Sequence, residues 1–246
     1  TRALLSDDLN VNAREVLAVA HRLAGRKAEH GRVIGRILDL DPLDHLACFE
    51  RYLLDRSPET LEACRGLVRN ELPHETFIEM AAFYDRIGLA ADAVEALKAA
   101  PAHAAVDYWL AYLQRDAAPA ESAAALERAS GASPHLVFPF REEEIGVYSW
   151  AIAARPSDWK PKYYLALILW GKGRLEEARD LLEMCEDADY APFWIARGSF
   201  FERTDPARAA ADYAKAVELD PAGWRARHAR TAFLLRHGRE EEALAA

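Results

Sequence analysis

His45 and Cys48 stand one helical turn apart, with Cys64 in the following apolar stretch, and these are the residues whose types come nearest to a metal centre. Three such ligands lack the fourth partner that closes a structural zinc site, so no metal is expected. No nucleophile constellation is present: G-x-S-x-G, G-x-x-x-x-G-K and H-E-x-x-H are all missing. Carboxylates are plentiful, with 40 Asp and Glu residues. Acid–base catalysis, however, needs a carboxyl enclosed where its pKa can shift. The most distinctive local string is FPFREEE, residues 138–144. Arg141 beside three glutamates could mark a polar contact point, or the glutamates could simply favour the positive end of a helix. In the second reading Phe138 and Phe140 are the apolar staple that fixes that helix. The chain is therefore expected to be non-catalytic and to need no cofactor.

What must position these residues is helical. Hydrophobic residues make up 51% and charged residues 29% of the 246 positions, a globular composition. The net charge of -9 argues against a nucleic-acid surface. No apolar run is long enough to span a membrane. Three sparse cysteines without a secretion signal point to reduced thiols in a cytoplasm. The chain starts at Thr and stops within EEEALAA, so it is expected to be a piece of a longer protein whose own leader could lie outside it. Strand signals are nearly absent; HLVFPF (135–140) contains Pro139 and reads as an extended linker. Elsewhere apolar residues recur at helical spacing, as in ETFIEMAAFYDRIG and PKYYLALILWGKG.

Four turns repeat. Helices end at Gly25, Gly88, Gly173 and Gly238, where a left-handed residue is required, and the next helix starts a few residues later. Ala93, Ala178 and Ala243 follow at one spacing, with His30 as the exception, and Ala81, Ala166, Thr231 and Ala18 precede them. Small residues on facing helices let two axes approach closely. His30 replaces the small residue, so the first hairpin is expected to be splayed or terminal; with His74 and His237 it reads as a turn or surface histidine. A fifth unit runs through Trp194, Gly198, Phe201, Ala209, Tyr213, Ala216 and Pro221, with Asp205-Pro206 as cap and first helical residue. Its large residues, with Phe77 and Tyr84, are expected in the core.

These residues resemble the tetratricopeptide repeat, a 34-residue helical hairpin. The resemblance covers 11–44, 74–101 and 161–246 strongly and 45–72 and 103–134 more loosely. It implies an all-α, right-handed α-solenoid of antiparallel helix pairs, with N-terminal repeats over 11–134 and C-terminal repeats over 157–246. Between them, 135–156 is expected to be an irregular insert holding a single helix, about 141–154. The phrases HAAVDYWLAYL, VFPFREEE and DWKPKYYLALILWGKGRLEEA further resemble the C-terminal repeats of large bacterial proteins. Those proteins carry an N-terminal domain of unknown function suspected of carbohydrate handling.

The repeat resemblance implies that first helices line a concave groove through Ile78, Ala82 and Asp85; Tyr108, Tyr112 and Arg115; Tyr163, Leu167 and Trp170; and Ile195, Ser199 and Glu202. Tyr108, Tyr112, Tyr163 and Trp170 form an aromatic stripe beside the insert, and aromatics with arginine are usual binding anchors. Tyr108, Tyr112, Arg115, Arg141, Tyr163 and Trp170 are therefore the candidate binding residues, the alternative being that the insert's helix buries the stripe. The Lys and Asn set that clamps acidic C-termini is missing, since Glu15, Val19, Ile78, Ala82, Tyr163 and Leu167 stand at its positions. The expected function is a protein-interaction scaffold whose partner is a protein or peptide, including the protein's own N-terminal domain. The alternative is an accessory domain of a sugar-processing enzyme, with an oligosaccharide as ligand.

Overall fold

The computed structural model describes residues 9–185 and 187–245. The helices α1 (Val11–Leu23), α2 (Lys27–Leu40), α3 (His45–Asp55), α4 (Pro58–Leu67), α5 (Pro73–Arg86), α6 (Ala90–Ala99), α7 (Ala104–Gln114) and α8 (Pro119–Gly131) come first. Then follow α9 (Glu144–Ala154), α10 (Trp159–Gly171), α11 (Leu175–Glu183), α12 (Ala191–Phe201), α13 (Pro206–Leu219), α14 (Trp224–Arg236) and α15 (Glu240–Leu244). No strand occurs among the described residues. The chain forms two compact units, Thr1–Ala129 and Ser130–Ala246.

The helix ends follow from local chemistry. Gly25, Gly88, Gly173 and Gly238 all have φ between +69° and +79°, the left-handed geometry that a Cβ disfavours. After each, the next amide reaches back to close the helix: Arg26 to His21, Leu89 to Tyr84, Arg174 to Leu169 and Arg239 to Leu234, each at 2.9 Å. This repeated closure satisfies carbonyls that the helix leaves open. Helix starts are capped by Asn10, Asp44, Ser57, Asp158 and Asp205, whose side chains accept from amides two or three residues ahead.

In the first unit α1 packs on α2, α3 on α4 and α5 on α6, while α1, α3, α5 and α7 stack successively on one another. The Ser122 hydroxyl donates to the Ala111 carbonyl at 2.6 Å and ties α8 to α7. In the second unit α10 pairs with α11, α12 with α13 and α14 with α15. The fold is thus an α-solenoid of antiparallel helix pairs. The small residues foreseen at the crossings are buried: Ala18, Ala81, Ala93, Ala166 and Ala178 are inaccessible to solvent. At Gly198 a Cβ would come within 3.2 Å of the Tyr213 ring, so glycine lets α13 lie this close to α12 without the ring having to shift. Phe77, Tyr84, Trp194, Phe201 and Tyr213 are buried. The helix α9 follows a non-helical segment, 132–143, and packs on α10.

Several expectations need correction. Cys48 and Cys64 are not free thiols; they are joined in a disulfide that links α3 to α4. Consecutive antiparallel helices bring their facing positions together whatever the sequence spacing, which is why spacing alone missed the pair. His30 is no surface residue: it is 1% exposed, and α1 and α2 pack closely around it rather than splaying. Its Nε2 lies 3.2 Å from a Glu50 carboxylate oxygen, so a polar bond replaces the apolar contact of the alanine type. His74 is also buried, its ring stacked 3.5 Å from that of His103. Phe138 and Phe140 are not a staple, being 55% and 61% exposed; Val137 is the residue of that segment that turns inward.

Candidate interaction site

Exposure along the first helices follows a gradient. Ile78, Tyr108 and Tyr163 in their first halves are buried. One turn later Tyr112 and Leu167 are half-buried, and at the ends Asp85, Arg115, Trp170 and Glu202 all reach solvent in part. In α5, α7 and α10 the named residues of the first half are covered, and the residues of the last turn are the more open part. Tyr108 and Tyr163 therefore belong to the packed interior. Tyr163 meets Phe193 edge-to-face at 5.2 Å, and burial pushes its phenol pKa up.

In the first unit the open part is built from Tyr112 and Arg115. The Arg115 guanidinium lies 4.0 Å from the Tyr112 ring centre and donates to the Tyr112 carbonyl at 2.5 Å. A guanidinium over an aromatic face is held flat and ready, which lowers the ordering cost of binding. Asp85 lies within the field of Arg115; burial raises its carboxyl pKa and the arginine opposes that rise.

The second unit presents Trp170, which meets Phe200 edge-to-face at 5.0 Å. Glu202 accepts from Arg236 through two nitrogens at 2.7 and 2.8 Å and from the Tyr213 hydroxyl at 3.0 Å. The Arg236 pair holds that carboxyl below the usual range, and burial beside Glu202 pushes the Tyr213 phenol up to about 12. Arg141 lies 4.3 Å over the Phe140 ring, next to the start of α9. There the Glu144 carboxylate accepts the amides of Phe140 and Arg141, so this glutamate ties the preceding segment to the start of α9. Tyr108, Tyr112 and Arg115 thus lie in one unit, and Arg141, Tyr163 and Trp170 in the other.

A further row of aromatics went unread in the sequence. Trp159 opens α10, Tyr190 caps α12 and Trp224 opens α14, about one repeat apart. The Trp159 and Tyr190 rings are stacked at 6.5 Å, and Trp224 is 69% exposed. Arg225 lies 5.7 Å over Trp224 and opposes the burial-driven rise of the Tyr190 phenol pKa. Their recurrence at the start of successive first helices was the available signal.

Two buried polar clusters complete the picture. Glu50, fully buried, accepts from Arg22 through two nitrogens at 2.8 and 3.0 Å and from the Tyr84 hydroxyl at 2.8 Å; Arg22 also reaches Asp92 at 2.7 Å. With His30, the cluster draws on α1, α2, α3, α5 and α6. In the second unit Arg197 grips Asp212 at 2.6 and 3.0 Å and lies 4.3 Å over Trp194. Glu15, next to Asp44 and Glu79, is pushed up to about 7 by burial first and by its acidic neighbours second. No group of three or more His, Cys, Asp or Glu able to hold a metal occurs among the described residues. No described helix is long and apolar enough to cross a membrane.

No protein-family profile matches the chain, and no curated protein matches it. Among solved structures, MamA (41-end) from Desulfovibrio magneticus RS-1 is 15% identical, covering 70% of this chain and 89% of its own, at a TM-score of 0.39. YrrB, described as a TPR protein with an unusual peptide-binding site, is 14% identical over 94% of this chain and 96% of its own, at 0.34. TTC0263, a thermophilic TPR protein of Thermus thermophilus, is 19% identical over 92% and 99%, at 0.37. Likeness at these scores carries no argument, and the architecture rests on the helix pairing of the chain itself.

Proposed function

We propose that the chain is a non-catalytic interaction module that takes a protein or peptide at the open ends of its first helices. The observation that carries this reading is the Tyr112–Arg115 pair, an aromatic face with a pre-set guanidinium at 4.0 Å. Such pairs dominate binding energy because large rigid area and a directional cation are supplied together. A peptide partner suits this surface better than nucleic acid, given the net charge of -9. The buried disulfide fits an oxidising compartment better than the cytoplasm. Selecting from a displayed peptide library on the full chain tests the proposal. Enriched peptides should lose at least about ten-fold in affinity on Tyr112→Ala or Arg115→Ala, corresponding to about 1.4 kcal/mol. Peptides indifferent to both substitutions would sink it.

The row of Trp159, Tyr190 and Trp224 supports a second reading, an accessory domain that stacks aromatic rings on sugars. Titration calorimetry with oligosaccharides separates the two. Heat that disappears on Trp224→Ala favours the sugar reading, and no heat with any glycan class leaves the protein reading.

A further inference from the structure

Two surfaces of this chain are built at a cost that its own packing does not explain. The first is a crevice of about 310 Å³ between α2 and α3, lined by Gly31, Ile34, Gly35, Leu38, Leu54 and Arg51, with His30 and Asp55 at its ends. This volume is at the lower end of the ligand-pocket range, about 300–1,000 Å³. Gly31 and Gly35 sit one turn apart with ordinary helical φ, and a Cβ on either would meet nothing within 4 Å. Neither turn geometry nor internal packing calls for glycine there, yet glycine weakens a helix interior. Their effect is to leave the crevice open. His30 directs Nε2 at the Glu50 carboxylate, and its Nδ1 makes no hydrogen bond among the described residues. Arg51 stands exposed at the rim and makes no hydrogen bond or ion pair among the described residues. The adjacent Asp55 carboxylate accepts the Ser57 amide and the Thr60 hydroxyl, and these bonds first, with the Arg51 charge after them, hold its carboxyl below the usual range.

The second surface is the segment 134–143. Leu136 has φ +61°, a strained value for a leucine, and side chains Leu136, Phe138 and Phe140 all stand in solvent. The segment is nonetheless firmly held, by buried Val137 at one point and by the Glu144 carboxylate on two amides at another. It ends in Glu142, whose side chain is 79% exposed and meets Lys172 at 3.1 Å. An apolar knob flanked by Glu142, with Arg141 over its Phe140 ring, thus occurs on the same chain as an apolar crevice that carries Arg51 and Asp55.

We propose that the crevice between α2 and α3 receives the Leu136–Glu142 segment of a second copy of this chain. Phe138 or Phe140 fills the space above Gly31 and Gly35, and Glu142 exchanges Lys172 for Arg51. The contact joins two different surfaces, so it is head-to-tail and can continue from copy to copy. It uses neither the Tyr112–Arg115 pair nor the aromatic row, and stands or falls apart from the function proposed above.

Sedimentation velocity across a concentration series provides the test. The wild-type chain should grow in mean mass with concentration. Phe138→Ser with Phe140→Ser, and separately Gly31→Leu with Gly35→Leu, should each remain monomeric. Mixed together, the two variants should form a dimer that grows no further, because one retains the crevice and the other the knob. A fluorescein-labelled peptide of residues 134–144 should bind wild type and lose at least about ten-fold on Arg51→Glu. Circular dichroism melting checks that each variant folds; the glycine replacements should raise the melting temperature, and Arg51→Glu keeps the crevice testable if they do not fold. A wild-type chain that stays monomeric overturns the proposal, even if the peptide binds, since the occupant is then another protein. Self-association that survives either double substitution overturns it too.

Discussion

Glu15 shows how much a single carboxyl can do to the pH dependence of a repeat protein. Its pKa in the folded chain is about 7, raised from 4.5 chiefly by burial and next by Asp44. The folded state therefore binds more protons than the unfolded state between these values, and stability falls as pH rises through that window. Above it the penalty is constant, and below pH 4.5 it vanishes. Glu15→Gln should thus stabilise the chain at pH 8 by about 1 kcal/mol, a figure reduced for the solvent that screens this half-buried group, and should change nothing at about pH 4. Urea unfolding at the two pH values measures the difference; an equal gain at both would show that Glu15 is not protonated near neutrality. None of this was legible in the sequence, where Glu15 appeared only as a residue failing to be a lysine. Its environment comes from the start of α3 and from α5, two different hairpins.

At the level of elements, the turns were readable and the bridge was not. Gly25, Gly88, Gly173 and Gly238 declare their role because a left-handed residue is needed wherever a helix of this kind closes. Gly88→Ala and Gly173→Ala should each cost about 1–2 kcal/mol, and the two losses should add because they lie in separate units. A double variant much milder than the sum would show that one hairpin relaxes around its alanine. The Cys48–Cys64 disulfide closes a segment of sequence separation 16. Replacing both cysteines by alanine should remove about 3 kcal/mol, measured by chemical unfolding with and without reductant. Wild type under reductant should match the variant. Helical periodicity placed both cysteines on apolar faces, but only the mutual rotation of α3 and α4 brings those faces together. The same limit applies to the proposed site. The repeat resemblance implies one stripe of Tyr108, Tyr112, Tyr163 and Trp170, whereas depth along each helix divides them into two buried and two half-exposed residues.

On the scale of the molecule, the repeat architecture makes stability a sum of neighbouring interfaces. The Glu50 cluster gathers five helices of the first unit around one carboxylate. Removing Glu50 leaves Arg22 with Asp92 alone and the His30 ring and Tyr84 hydroxyl without their buried carboxylate, so Glu50→Ala should cost about 3 kcal/mol. Hydrogen exchange should show that loss in α1–α6, with amides of α12 and α13 as slow as in wild type. Accelerated exchange throughout the chain would mean that the two units unfold as one. Sequence periodicity predicted the solenoid because each hairpin must bury one face against the next, a rule repeated along the chain. It could not predict the Glu50 cluster, which occurs once and depends on where Arg22, His30, Tyr84 and Asp92 meet in space.

The convergence on Glu50 also sets what heredity can repair. A lesion in an ordinary hairpin can be rescued by a nearby change that refills the same contact. A lesion at Glu50 leaves a histidine and a tyrosine without their carboxylate and Arg22 with Asp92 alone, on three different helices at once, so no single second-site suppressor restores them all. In a genetic screen this position should return almost only true revertants, while the rest of the repeat yields to many local substitutions.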